Sequence, residues 1–392
     1  MADRPVRRAR RAIMAGGAGL TPGLRKVLTT PPMPTLTAAA IKTRALALGF
    51  DLCGIAPAGD FPELAFFREW LARGYAGEMH YLARSADRRA DVRAVLPTAR
   101  SVIVTATAYN TDRPYSTQRD DPAHARLSRY AWGDDYHTVI LERLEALLAW
   151  MREASDAPFD ARPYVDTGPV QERVYAQYAG LGWIGKNTCV ISGKRGSWLF
   201  LSEIICSLPL EPDRPATDHC GSCTRCLDAC PTGAIVDPWV LDSTRCLSYL
   251  TIELKTAIPE PLREAVGAHV YGCDICQDVC PWNRAPIVSA QPAWQPRPAF
   301  DGPTLLELWT HSDDELRAAM KGSPMKRAGL KRLRRNLAVA LANSGDPRAL
   351  AELAAPREGP AWASLADPLV AEHVCWARER LARGSAGSGP AG

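Results

Sequence analysis

The chain has 392 residues, of which 46% are hydrophobic, and carries a formal net charge of +4. That length suits two or three domains. It contains no run of about 18 apolar residues to cross a bilayer, and a chain this long and apolar is not a small secreted scaffold held by disulfides, despite its 12 cysteines.

Residues 1–33 read as a disordered basic tail or a start assigned too early. Arg4, Arg7, Arg8, Arg10 and Arg11 lie there without periodicity, and Met33 begins the first well-patterned segment. The stretch superficially suits a transit peptide. Residues 36–49 predict an amphipathic helix ending at Gly49, and Phe50 to Ala56 a short strand. Residues 62–84 predict a helix, and the β-branched run Ser101 to Tyr109 a buried strand. A helix is expected over 135–154, a strand end at Tyr164 to Asp166, a helix over 169–180, and strands at Thr188 to Ile191 and Trp198 to Cys206. This alternation predicts an α/β domain over 34–209. Residues 210–290 are rich in cysteine and poor in regular pattern, and predict a ferredoxin-like domain folded around its clusters. A linker with Pro286, Pro292, Pro296 and Pro298 follows. Residues 300–385 read as helices only, with Leu330 to Asn343 and Ala349 to Leu353 as a HEAT-like pair.

The cysteines carry the chemistry. Cys220, Cys223, Cys226 and Cys230-Pro231 form C-x2-C-x2-C-x3-C-P, the bacterial two-cluster ferredoxin run whose fourth Cys ligates the other cluster. Cys273, Cys276 and Cys280-Pro281 form a second run short of one thiol, which Cys246 supplies. Cys220, Cys223, Cys226 and Cys280 are therefore expected on one [4Fe–4S] cluster, and Cys230, Cys246, Cys273 and Cys276 on the other. Each proline turns the chain away after a crossing Cys. Zinc wants four ligands in one closed tetrahedron, and covalent haem wants C-x-x-C-H; neither fits. Cys53, Cys189, Cys206 and Cys375 read as core thiols in a reducing compartment, which predicts a cytoplasmic location.

Two motifs are deceptive. Gly180-x-Gly182-x-x-Gly185 resembles a dinucleotide fingerprint, but a helix precedes it and a strand follows, the reverse of what that fingerprint needs. Asp135-Tyr-His137 begins like the D-x-H-x-x-G motif that sets a His beneath cobalt, but its Gly is missing, so no His ligand is expected. Asp166 stands at a predicted strand end, where it could be an N-cap or a functional carboxylate.

The cysteine segment resembles the epoxyqueuosine reductase family. So do Arg88 to Arg93 (RRADVR), Ser128 to His137 (SRYAWGDDYH), Val165 to Arg173 (VDTGPVQER) with Ala179 to Asn187, and Lys331 to Asn343. The likeness runs in family order over residues 34–354. It implies a cobalamin held between the α/β and ferredoxin-like domains, fed with electrons through the clusters, that reduces epoxyqueuosine at tRNA position 34 to queuosine. It implies Asp166 as proton donor, with a pKa raised by burial, and Arg89, Ser128, Val190, Leu201 and Val279 beside the cofactor. It also implies tRNA contacts from Arg173 and the basic helix, through Lys331, Arg332 and Arg334. A low-potential electron donor, no membrane and a monomeric state are expected. The rival reading is a reductive dehalogenase, which also uses cobalamin and two clusters but normally carries an export signal and different accessory segments.

Overall fold

The computed structural model describes residues 36–386; the expected tail over 1–33 lies outside the described residues. In chain order the first elements are α1 (Ala38–Ala47), β1 (Leu52–Pro57), α2 (Pro62–Ala72), β2 (Ser101–Ala108), α3 (Tyr136–Ala154), β3 (Ala161–Tyr164), α4 (Glu172–Tyr178) and β4 (Leu199–Cys206). They form a mixed α/β layer structure, but the sheet order β1-β2-β4-β3 is antiparallel at every pairing. Alternation of helices and strands therefore did not mean parallel crossovers. The expected helix over 62–84 is broken: α2 ends at Ala72, and a separate turn of helix spans His80–Arg84. Gly74 and Gly77 lie between with positive φ, and a Cβ at Gly77 would meet the Tyr249 hydroxyl at 2.3 Å.

Side-chain alternation along the strands sorts the two faces of the sheet. Ile103, Phe200 and Ile204 pack with α1 and α3, through Ile41, Ile140, Leu144 and Leu147. Val102, Val104, Ala106 and Ile205 pack with α2 and α4, through Leu64, Val174 and Tyr175.

The cysteine-rich stretch holds two four-residue helices, Arg225–Asp228 and Ile275–Asp278, a small hairpin, and a π-helical turn at Tyr249–Glu253. The helices Leu305–Thr310 and Asp313–Met320 each start with a capping box, from Thr304 with Glu307 and from Ser312 with Glu315. Helix α5 (Gly329–Asn343) is buried nearly all round, and α6 (Pro368–Ala386) packs on it. The core of this region is continuous with Ala125, Leu127, Ala131, Val270 and Tyr271. The boundary expected near residue 300 is thus bridged by shared packing.

Candidate functional site: a carboxylate–imidazole pair beside two thiol cavities

Asp166 follows β3 on the wall of a cavity of about 890 Å³. Its backbone sits at φ +57, one of three non-glycine residues at positive φ among the described residues. Asp tolerates this region better than most residues. The Asp166 N–H donates to Glu172 Oε1 at 2.6 Å, and its side chain, 56% exposed, turns into the cavity. There Oδ2 lies 3.2 Å from His137 Nε2, and the Tyr136 hydroxyl also bonds it.

His137 lies in the first turn of α3. The N-cap Asp135 accepts both its backbone N–H at 3.2 Å and its Nδ1 at 2.7 Å, so both ring nitrogens are held by carboxylates. Asp135 also pairs with Lys326 Nζ at 2.5 Å. Arg327 grips Glu253 at 2.6 and 3.1 Å on the same cavity wall.

The electrostatics correct one expectation. Burial pushes Asp166 up, but the His137 hydrogen bond and charge, the Tyr136 hydroxyl and Arg327 outweigh it, so its pKa is lowered. For His137, burial opposes the charged ring, yet hydrogen bonds and charge from Asp166 and Asp135 prevail and raise it above 6.5. The pair thus favours the ionised form of Asp166 and the protonated form of His137, the reverse of the expected burial effect.

Two smaller cavities hold the thiols in the expected partition. One, of about 350 Å³, is lined by Cys230, Cys246, Cys273 and Cys276; the other, of about 290 Å³, by Cys220, Cys223, Cys226 and Cys280. Within each set the thiols feel one another's charge. Burial pushes Cys226 up to about 11, with Cys280 and Cys220 adding to it. Burial likewise raises Cys273, with Cys246 and Cys230 contributing. Each cavity gathers four of the expected ligand thiols, with Cys189 a fifth in the first, and a cationic inorganic core would offset the cost of ionising them. Among the described residues no three His, Cys, Asp or Glu side chains converge on a single metal ion. Cys246, Tyr130 and Leu199 line both the large cavity and the first thiol cavity, so the two adjoin.

The other expected residues divide. Ser128, Val190, Leu201 and Arg173 line the first thiol cavity; Ser128 donates to Asp274, and Arg173 donates to Thr188 O at 3.0 Å. Cys189, expected in the core, is hydrogen-bonded to Cys276. Arg89 and Val279 line none of the three cavities. Arg89 is tied to Ser85 Oγ at 3.0 Å and Val170 O at 2.9 Å, and Val279 caps the helix Ile275–Asp278. Arg334 is a correction: it is 0% exposed, donating to Trp309 O and His311 O at 2.6 Å each and to Asp313 at 3.2 Å, and cannot reach a phosphate. Lys331 is exposed beside Asp367 at 2.5 Å, and half-buried Arg332 donates to carbonyl oxygens of Ala328 and Arg327. Tyr136 and His137 were not foreseen at the site, and Lys326 and Arg327, part of the basic run over 326–335 expected to meet tRNA, were not foreseen on this cavity. The signal available for His137 was its place one residue past the N-terminus of a helix, next to an N-capping Asp.

The family model "4Fe-4S double cluster binding domain" matches residues 219–283, and "Epoxyqueuosine reductase QueG, DUF1730" matches residues 89–167. The epoxyqueuosine reductase of Xanthomonas campestris pv. campestris is 42% identical over 351 residues, covering 88% of this chain and 96% of that one. A crystal structure of epoxyqueuosine reductase with an epoxyqueuosine-modified tyrosine tRNA stem loop superposes with a TM-score of 0.76 at 32% identity, covering 88% of this chain and 89% of the other. The Bacillus subtilis enzyme, in a form whose catalytic aspartate loop is swung out of the active site, gives 0.75 at 30% identity, with 88% and 90% covered.

Proposed function

The chain belongs to the epoxyqueuosine reductase family, and from that premise we propose how its own residues carry the reaction. It is an oxidoreductase that completes queuosine biosynthesis on tRNA. The eight thiols would hold two [4Fe–4S] clusters in the partition given above, and the large cavity would hold cobalamin, with Tyr109, Tyr130, Leu199 and Cys246 on the wall it shares with a thiol cavity and Ser128, Val190 and Leu201 lining that thiol cavity. The observation that carries this reading is the continuity of the spaces: Cys246 lines both a thiol cavity and the cavity that Asp166 faces. Cobalamin, when bound there, would supply a strongly reducing centre within reach of the clusters. The aromatic lining from Tyr130, Tyr136, Phe200 and Tyr271 suits a large flat ligand. Both nitrogens of His137 are engaged by carboxylates, which favours a proton-handling role over metal ligation.

An epoxide oxygen leaves carbon poorly unless it is protonated. Asp166 delivers that proton, and His137 holds it in reserve at 3.2 Å. The left-handed backbone at Asp166 keeps the carboxyl turned into the cavity. At the mouth, Lys326 and Arg327 provide phosphate contacts for an anticodon stem loop, with Lys331 and Arg332 beyond them; such contacts set register while the modified base enters the cavity.

The test is anaerobic. Protein with reconstituted clusters, cobalamin and a low-potential reductant is given tRNA carrying epoxyqueuosine, and the digested nucleosides are read by mass spectrometry. Queuosine should form with the native chain and be lost in Asp166→Ala with clusters and cobalamin retained. No conversion by fully loaded protein would overturn the assignment.

A further inference from the structure

Turning an epoxide into an alkene takes two electrons and two protons. One proton reaches the oxygen as the first C–O bond breaks, and the second as that oxygen departs as water. Asp166, with His137, accounts for one proton at a time, so the second needs a source.

Directly behind the Asp166 loop lies a second pair of acids. Glu203 sits in the middle of β4, 0% exposed, on the sheet face that packs against α4. No N–H or O–H group among the described residues donates to either of its carboxyl oxygens. What it meets is the carboxyl of Glu172, the first residue of α4. Glu203 has no other donor among the described residues, and two facing carboxylates would repel, so a proton held between the two carboxyls is favoured. The same Glu172 accepts the Asp166 backbone N–H at 2.6 Å.

The charged groups facing this pair are few. Asp166 lies above it, Arg89 approaches from the helix Ala86–Ala90, and Arg173 lies beside Glu172 on α4. Arg89 is tethered by Ser85 and the Val170 carbonyl and makes no hydrogen bond to either acid, so it tempers the pair without neutralising it. Burial, then the charge of Asp166, pushes Glu172 up to about 8, and burial, then the charge of Glu172, raises Glu203 well above the usual carboxylate range. Sheet packing gains nothing from a carboxyl at position 203, where a leucine or methionine would bury at no electrostatic cost.

We propose that the Glu172–Glu203 pair stores the second proton of each turnover and passes it to the Asp166 carboxylate once Asp166 has given up the first. The proposal rests on the reductase reading above. In the full cycle the Asp166–His137 proton goes to the epoxide oxygen, the stored proton moves from the pair to Asp166 and then to the same oxygen, and two electrons delivered through the clusters balance the breaking of both C–O bonds, the forming of the C=C bond and the loss of water. The pair regains its proton from solvent between turnovers. Glu172 and Glu203 are positioning residues in this scheme, because they act through Asp166.

The experiment compares native protein, Glu203→Gln and Glu172→Gln, each loaded with clusters and cobalamin, in queuosine formation from pH 6 to pH 9. Glutamine keeps the shape, and at position 172 its carbonyl can still accept the Asp166 N–H. At pH 6 solvent protons are plentiful, and both variants should run near the native rate. At pH 8 both should fall by about 100-fold, the lower end of what a positioned acid contributes, and added small acids such as imidazolium should restore the rate. Either variant showing the native pH profile, or an equal loss at every pH without rescue, would overturn the proposal. If one variant fails to take up cofactors, the other carries the test alone. Asp166→Ala should instead be inactive across the whole range. Native protein that makes no queuosine would refute the reductase reading itself, a distinct outcome.

Discussion

Removing the charge of Arg334 should damage the fold and leave tRNA recognition untouched. Arg334 and Asp313 are each 0% exposed and 3.2 Å apart. Among the described residues Asp313 otherwise accepts only from Ser364, through its N–H at 2.8 Å and its hydroxyl at 2.5 Å. Arg334→Met keeps much of the side-chain volume but leaves the Asp313 charge buried without its counter-ion and strips the Trp309 and His311 carbonyls of their donors. Breaking one side of such a pair costs about 3–5 kcal/mol. The shift is roughly 2–4 °C per kcal/mol for 150–250 residues and smaller for a chain of 392, so the melting temperature falls by about 5 °C. The assay pairs a thermal melt of the cluster-loaded protein with stem-loop affinity measured over a range of salt concentrations, below the variant's melt. The slope of log affinity against log salt should match that of the native chain. A flattened slope with an unchanged melt would refute the reasoning and return Arg334 to the nucleic-acid surface.

Lys326→Ala and Arg327→Ala should each weaken stem-loop binding and reduce the salt slope by about 0.7–0.9 per lost phosphate contact, read by the same titration. Asp166→Asn should lower the single-turnover rate by about 10²–10⁴-fold with stem-loop affinity preserved. His137 is held above its usual pKa, so its proton is present at low pH and lost as pH rises through that raised value. His137→Gln should therefore move the alkaline limb of the rate profile to lower pH, as followed by rapid quench. Cys220→Ser and Cys280→Ser should each remove the same cluster, so the double variant loses no more iron than either alone, whereas Cys246→Ser combined with Cys280→Ser should lose both, by iron analysis and electron paramagnetic resonance.

The cysteine partition was legible because the spacing of the two runs and their Cys-Pro steps leave little choice of which thiol crosses over, and the thiol cavities hold the same two sets. Asp166 stood out through the family resemblance, because its place at a strand end before Thr167-Gly168-Pro169 left an N-cap equally open. His137 was hidden by an incomplete motif: without its Gly the segment reads as ordinary helix, and only the tertiary approach of the β3–α4 loop gives the ring a carboxylate on each side. The basic run was misleading for a related reason. Charges along one helix resemble a solvated face, yet α5 is packed on nearly every side, and Arg334, Arg335 and Asn336 are all buried. Strand direction was not legible, since helices intervene in both parallel and antiparallel layouts.

Arg335 ties the helical region to the redox centre. From the middle of α5 its guanidinium donates to the carbonyls of Leu250, Leu254 and Thr256, around the π-helical turn that follows Cys246, while Asn336 holds Thr251 and Val270 at 2.8 Å each. The segment that carries a cluster thiol is thus shaped from the far end of the chain. A truncation before α5 would not yield a slimmer catalyst lacking one accessory module; it would release the loop bearing Cys246. In this protein modularity of sequence is not modularity of folding, and the capacity to hold iron depends on residues roughly 90 positions downstream of the thiol they steady.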